Sequence, residues 1–388
     1  MKTVIALCVS AAALLSACGG GGSGPHAQTF TQVQGIDPAG TFSFDIGAVA
    51  GNRYYLADRN NAAVDVFDTA NSQLVAQIKG TGANAFAGAA VTSTGSADNS
   101  RSGPDGVNIV GNLVYAGDVD SVKVIDPAAG QVIKTIPVPA GGHRDDEGCV
   151  DEVHGLYMVA APEADTPFVT FINTTTQTVV ATVTFTDASG AASAGLEACR
   201  YDPTSDAFYI NNDGTTANPH GELDVLPGPA IRALAVGTTV NYTALAGVKM
   251  YTEGNCDPAG LALGPGTDIA VGCAEGDKGV PLLVQIMNRT TGAIVASPKA
   301  GGGDQLEYDP ATNRYYNAAR NWTTTGLSGD TLEPSLIIID AGSRTVVSLL
   351  TTGKNAHSVA VDPATHKAFV PVSSSSTQPA GLLTFSTQ

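Results

Sequence analysis

The sequence predicts an all-β fold, a seven-bladed β-propeller closed by an N-terminal strand that completes the last blade. Three observations predict it. A strand–turn–strand unit recurs seven times, 42 to 62 residues apart, which suits four-stranded propeller blades. Glycine (45) and proline (21) are abundant and helical periodicity is nearly absent, as in a β protein with many turns. One position of the unit is acidic in five repeats, at Asp45, Asp105, Glu147, Glu197 and Asp304; the fifth repeat has Ala259 there and the seventh has His357.

The turns set the register. Glu197, Asp304 and His357 each stand five residues before an Asp-Pro pair, at Asp202-Pro203, Asp309-Pro310 and Asp362-Pro363. Ala259 stands five before Gly264-Pro265, and Asp45 and Asp105 five before Ala50-Gly51-Asn52 and Val110-Gly111-Asn112. Glu147-Gly148-Cys149 matches Glu197-Ala198-Cys199 with a turn one residue shorter. Such turns favour residues that preset φ or bond their own backbone. After each comes a β-rich run, such as Tyr54-Tyr55-Leu56 or Phe208-Tyr209-Ile210.

Third strands read Val64–Phe67, Val122–Ile125, Val169–Ile172, Leu223–Val225, Leu282–Ile286 and Leu336–Ile339. Fourth strands read Leu74–Ile78, Val132–Ile136, Val179–Val183, Ile294–Ala296 and Val346–Leu349, with that of blade four placed near Ala233–Val236. Blade seven supplies Val359–Val361, Lys367–Val370 and Leu382–Phe385 before the chain ends, one strand short. The β-prone stretch Thr29–Val33 is expected to fill that place, which removes an exposed sheet edge and locks the ring.

The units Val122-Lys123-Val124-Ile125-Asp126-Pro127 and Ser358-Val359-Ala360-Val361-Asp362-Pro363-Ala364-Thr365 resemble YVTN-type repeats of the WD40-like propellers. The chain more loosely resembles the SMP-30/gluconolactonase propellers. Those have six blades and ligate a metal through a glutamate, an aspartate and asparagines; this ring has seven positions and no asparagine. The first resemblance implies the fold, and the second a metal-dependent lactone or ester hydrolase.

The first residues read as an export signal: Lys2, an apolar stretch from Val4 to Leu15, then Leu15-Ser16-Ala17-Cys18. The last four resemble a bacterial lipobox. The expected organisation is a lipoprotein signal peptide over 1–17, lipidated Cys18 and a glycine-rich tether over 18–27, and one propeller over 28–388. That implies a bacterial envelope protein held by lipid, outer-membrane or periplasm-facing, and monomeric. The net charge of −17 argues against nucleic acid or anionic membrane surfaces as partners.

Four cysteines remain in the propeller, an even count that suggests disulfides in an exported protein. Cys256 and Cys273 flank a hairpin turning at Gly264-Pro265-Gly266. Cys149 and Cys199 hold matching places on neighbouring inner strands. The expected pairs are Cys149–Cys199 and Cys256–Cys273; the alternative for the first pair is thiolate ligation of a metal.

In a propeller the acidic position opens each innermost strand, so these carboxylates crowd one axis. Like charges so placed cannot all stay ionised without an offset, and a bound cation is the usual one. Glu147, Glu197, Asp304 and His357 are the candidate ligands of a divalent metal (Ca²⁺, Mg²⁺, Mn²⁺ or Zn²⁺), with an open side at Ala259. Asp45 and Asp105 are candidate general bases. Arg59 and Arg320 are candidate holders of an anionic ligand or a developing oxyanion. Two segments join the same rim: Asn211-Asn212-Asp213, and the Gly- and Ser-rich run 80–104, read as a lid or a plain insertion. Neither G-x-S-x-G nor H-E-x-x-H occurs. The expected function is a module that binds a small molecule or a protein at an acidic, metal-holding funnel. A metal-dependent hydrolase and a metal-free scaffold are the alternatives.

Overall fold

The computed structural model describes residues 28–274 and 278–387. The predicted signal peptide, Cys18 and the tether lie outside them. Among the described residues, seven sheets follow one another along the chain as seven blades of a propeller. Blade 1 shows the pattern: Phe44–Ala50, Arg53–Asp58, Ala63–Asp68 and Leu74–Ile78 pair antiparallel in chain order, inner strand to outer.

The aspartates read as turn markers cap their turns. Oδ1 of Asp126, Asp202, Asp309 and Asp362 accepts the backbone N–H two residues on, at 2.9–3.0 Å. A side chain that imitates a backbone turn fixes where each hairpin reverses, and so the register of the strands on both sides.

Blade 7 closes the ring as expected. Its inner three strands are Ala360–Val361, Lys367–Val372 and Gly381–Ser386; the outer strand is Gln28–Thr31, antiparallel to the last, with Phe30 opposite Leu383. Behind that strand Val33 and Ile36 are buried with Phe42, Tyr54 and Phe369, so the N-terminal segment is packed as well as paired.

Blade 4 departs from the expectation. The stretch near Ala233–Val236 is not its outer strand. The chain makes a helical turn at Gly228–Arg232, with proline in its first turn, where the missing N–H costs nothing. Thr238–Asn241 then runs parallel to Thr178–Thr184 as a fifth strand of blade 3. The outer strand of blade 4 is Lys249–Thr252, which pairs with Glu222–Val225. Its residues are mostly exposed, so no apolar run marks it in the sequence.

The core lies between blades. Among the described residues, seven buried clusters each join two neighbours, as Tyr55 and Val64 of blade 1 meet Val114 and Ile125 of blade 2. Stability therefore comes from blade–blade junctions, and the axis is left to polar side chains. Trp322 belongs to the cluster between blades 5 and 6. Both expected cysteine pairs are at bonding distance: Cys149–Cys199 across blades 3 and 4 (Cα–Cα 5.7 Å), and Cys256–Cys273 within blade 5 (4.6 Å).

A candidate cation site in the central funnel

The repeated acidic position stands where each inner strand begins. In blades 1, 4 and 5 the ladder skips it: the pairing breaks between Phe44 and Gly47, between Leu196 and Cys199, and between Pro258 and Leu261. An irregularity of this kind turns a side chain out of the sheet. Here it affects Asp45, Glu197 and Ala259. All three, with Glu147, Asp304 and His357, line one cavity of about 1230 Å³. Asp105 does not reach it and is fully buried behind Arg59.

The two sides of the funnel differ in how their charge is met. On the blade 1–3 side, Arg59 is buried and spans two acids, with Nη2 2.6 Å from Asp45 Oδ2 and Nε donating to Asp105 Oδ1 at 2.9 Å. It also donates to the Phe44 carbonyl at 3.3 Å. Arg144 is 2.9 Å from Asp146 and 3.0 Å from Glu163. His357 stacks on Phe44 with ring centroids 4.6 Å apart. Its Nδ1 donates to the Asn355 carbonyl at 2.8 Å, and Nε2 faces Asp45 at 3.5 Å. Asp45 and Asp105 are thus already engaged by a guanidinium, and His357 is set against Asp45.

Burial opposes ionisation of Asp45, but the charges of Arg59, Arg144 and His357 and a bond to His357 hold its carboxyl below its ordinary value. Asp105 has the deeper burial and Asp45 as a like charge, and is pushed up to about 8 against the pull of Arg59. One guanidinium between two buried acids keeps one ionised more readily than both.

On the opposite side Glu147, Glu197 and Asp304 offer oxygens that all lie within 4.8 Å of one another. Glu147 is 5 % exposed. Among the described residues neither glutamate carboxylate has a hydrogen bond or ion pair, and Arg320 reaches only Asp304, at 3.6 Å. Burial first, then the charge of Asp304, pushes Glu147 well above the usual range; burial, Asp213 and Asp304 do the same to Glu197. These three are ligands in the sequence reading; the fourth, His357, lies with Asp45 instead. Three carboxylates at this spacing suit a hard divalent cation bound through oxygen.

Three further residues reach the funnel: Asp213, which the sequence reading puts on the rim without a role, and Arg144 and Asp146. Asp213 lines the funnel, and its Oδ1 is buried without a partner. Burial and the charge of Asp304 push it up to about 7. A Cβ on Gly195 would stand 2.3 Å from Asp213 Oδ2, so that glycine is what admits the carboxylate. Arg144 and Asp146 stand directly before Glu147 in the chain, which is the signal that places them. From the 80–104 segment Ala97 and Asn99 line the funnel, and bridges from Gly88 to Gly103 and Val91 to Ala97 tie the segment together.

No family model matches this chain, and no curated protein matches it. Solved structures are similar to it. A chain of the crystal structure of the Mitotic Checkpoint Complex aligns with a TM-score of 0.59 at 10% identity, over 96% of this chain and 98% of that one. The computationally designed Ika8 protein gives 0.54 at 11%, over 93% and 100%. Hydrazine Synthase of Kuenenia stuttgartiensis gives 0.58 at 15%, over 88% and 96%. Identities this low establish the fold and nothing of the activity. By fold, the chain is a seven-bladed β-propeller.

Proposed function

We propose that the chain is an envelope-located, YVTN-like binding module whose funnel takes a divalent cation at Glu147, Glu197 and Asp304 and presents it to a small-molecule or protein ligand. One observation carries this reading. Three clustered carboxylates face a cavity, and two of them have no hydrogen bond or ion pair among the described residues. The donor set is oxygen only, which favours Ca²⁺, Mg²⁺ or Mn²⁺ over Zn²⁺. Binding is preferred to lactone or ester hydrolysis because both candidate bases, Asp45 and Asp105, are held by Arg59. Location in the envelope, with lipid on Cys18, rests on the lipobox-like Leu15–Cys18; two disulfides fit an oxidising compartment.

The test is calorimetric titration of chelator-treated protein with Ca²⁺ and Mn²⁺. We expect saturable binding of one ion to this site, and at least tenfold weaker binding in Glu197→Gln. Failure of the folded wild type to bind either ion at millimolar concentration would refute the reading.

A further inference from the structure

Each half of the Cys149–Cys199 bond stands two residues after one of the two unpaired glutamates. Cys149 follows Glu147 by two residues at the start of the inner strand of blade 3, Gly148–Asp151. Cys199 follows Glu197 by two in the inner strand of blade 4, Leu196–Asp202. The covalent path between the two carboxylate-bearing residues therefore crosses only Gly148, the disulfide and Ala198. Glu147 and Glu197 belong to separate sheets, with no ladder pairing between the two strands. Their like charges push the strands apart when ionised. The disulfide is the covalent tie that opposes this, and it sits beside the site.

Cys199 is fully buried, and Cys149 keeps only slight exposure. Cys149, Glu147, Arg200 and Glu307 line a second cavity, of about 210 Å³. Glu147 lines both cavities, so Cys149 is approached from a space other than the funnel.

We propose that Cys149–Cys199 is a redox-responsive clamp that sets the separation of Glu147 and Glu197, so that its reduction lowers the cation affinity of the funnel. The inference rests on the proposed cation site. The step is a two-electron exchange with a dithiol: its thiolate attacks one sulfur to give a mixed disulfide, and its second thiol displaces that sulfur. The protein ends with two thiols and the dithiol as a cyclic disulfide.

The test uses the Cys256→Ala/Cys273→Ala protein, in which this is the only disulfide left among the described residues, and wild type with the free thiols mapped by mass spectrometry. Calcium affinity is measured oxidised, after reduction with dithiothreitol, and after reoxidation. We expect at least a tenfold loss on reduction, recovery on reoxidation, and less than a twofold effect of reduction on whatever calcium binding Glu197→Gln retains. Cys149→Ala/Cys199→Ala should match the reduced protein. Affinity unchanged within twofold with Cys149 and Cys199 shown to be free thiols would overturn the clamp. So would an equal loss in Glu197→Gln, which would mark a general loosening of the fold. If the oxidised wild type binds neither calcium nor manganese, the proposed function falls, and the clamp with it; if it binds manganese alone, the same affinities are measured with that ion.

Discussion

Raising the pH of the cation-free protein should destabilise it across a range in which most globular proteins are indifferent. An acid whose pKa is higher folded than unfolded keeps its proton longer in the fold. Its contribution favours the fold at low pH and is lost as pH rises from the unfolded to the folded pKa. Asp105 is pushed up to about 8 and Asp213 to about 7, against an unfolded value of about 3.9. Each retained proton changes stability by about 1.4 kcal/mol per pH unit, so from pH 5 to 7 the two groups together remove about 5 kcal/mol. For about 360 residues the unfolding entropy is roughly 0.75 kcal/mol/K, so Tm should fall by about 6–7 °C. Asp146, Glu147, Glu197 and Glu253 are shifted the same way, chiefly by burial. Asp45 has the opposite sign, but its contribution is lost only as pH falls below about 4. The assay is calorimetric melting in chelator at pH 5, 6 and 7, repeated with Asp213→Asn, which should remove about 2 kcal/mol of the fall. Calcium should restore stability more at pH 7 than at pH 5, because the ion competes with protons for the same oxygens. A Tm that is flat or rises from pH 5 to 7 in chelator would refute the argument.

Three further outcomes follow from the packing. Arg59→Met strips the shared partner from buried Asp45 and Asp105 and should cost about 3–5 kcal/mol at pH 7. Denaturant melts should show a smaller loss at pH 5, and recovery when Asp45→Asn and Asp105→Asn are added. Ile36→Ala, behind the closing strand, should cost about 2–4 kcal/mol by thermal melting. Deleting 28–36 should cost more and also promote association seen by light scattering, because it bares the edge of Gly381–Ser386.

The register of the fold was legible because the turn aspartates bond their own backbone, a local interaction that needs no knowledge of the rest of the chain. The closing strand was legible by subtraction, since blade 7 was one strand short. The outer strand of blade 4 was not. An insertion separates it from its partner, and Lys249–Thr252 gains its place from pairing rather than from an apolar face. In the site, ring position gave the carboxylates but not their neutralisation. Which acids are free depends on where Arg59 and Arg144 reach, and those reaches run between blades: Arg59 of blade 1 extends to Asp105 at the start of blade 2. Nothing in residue spacing encodes the path of a long side chain across that gap.

The resulting asymmetry narrows the proposed cation site more sharply than the ring alone. Beside blades 1 to 3, the carboxylates of Asp45, Asp105 and Asp146 are met by the buried guanidinium of Arg59 and the half-buried one of Arg144, with an imidazole against Asp45. Adding a divalent ion there would require displacing Arg59, which is already hydrogen-bonded in three directions. Among the described residues, the only arginine in an ion pair with Glu147, Glu197, Asp213 or Asp304 is Arg320, at 3.6 Å from Asp304. Buried carboxylates without partners must either take up protons or take up a cation. The first choice dominates at low pH and the second at high pH when an ion is present. The funnel therefore has one side built as a fixed ion-pair network and one side whose charge state depends on what it binds. A ligand seated on the cation would face the short side chain of Ala259 rather than a competing carboxylate.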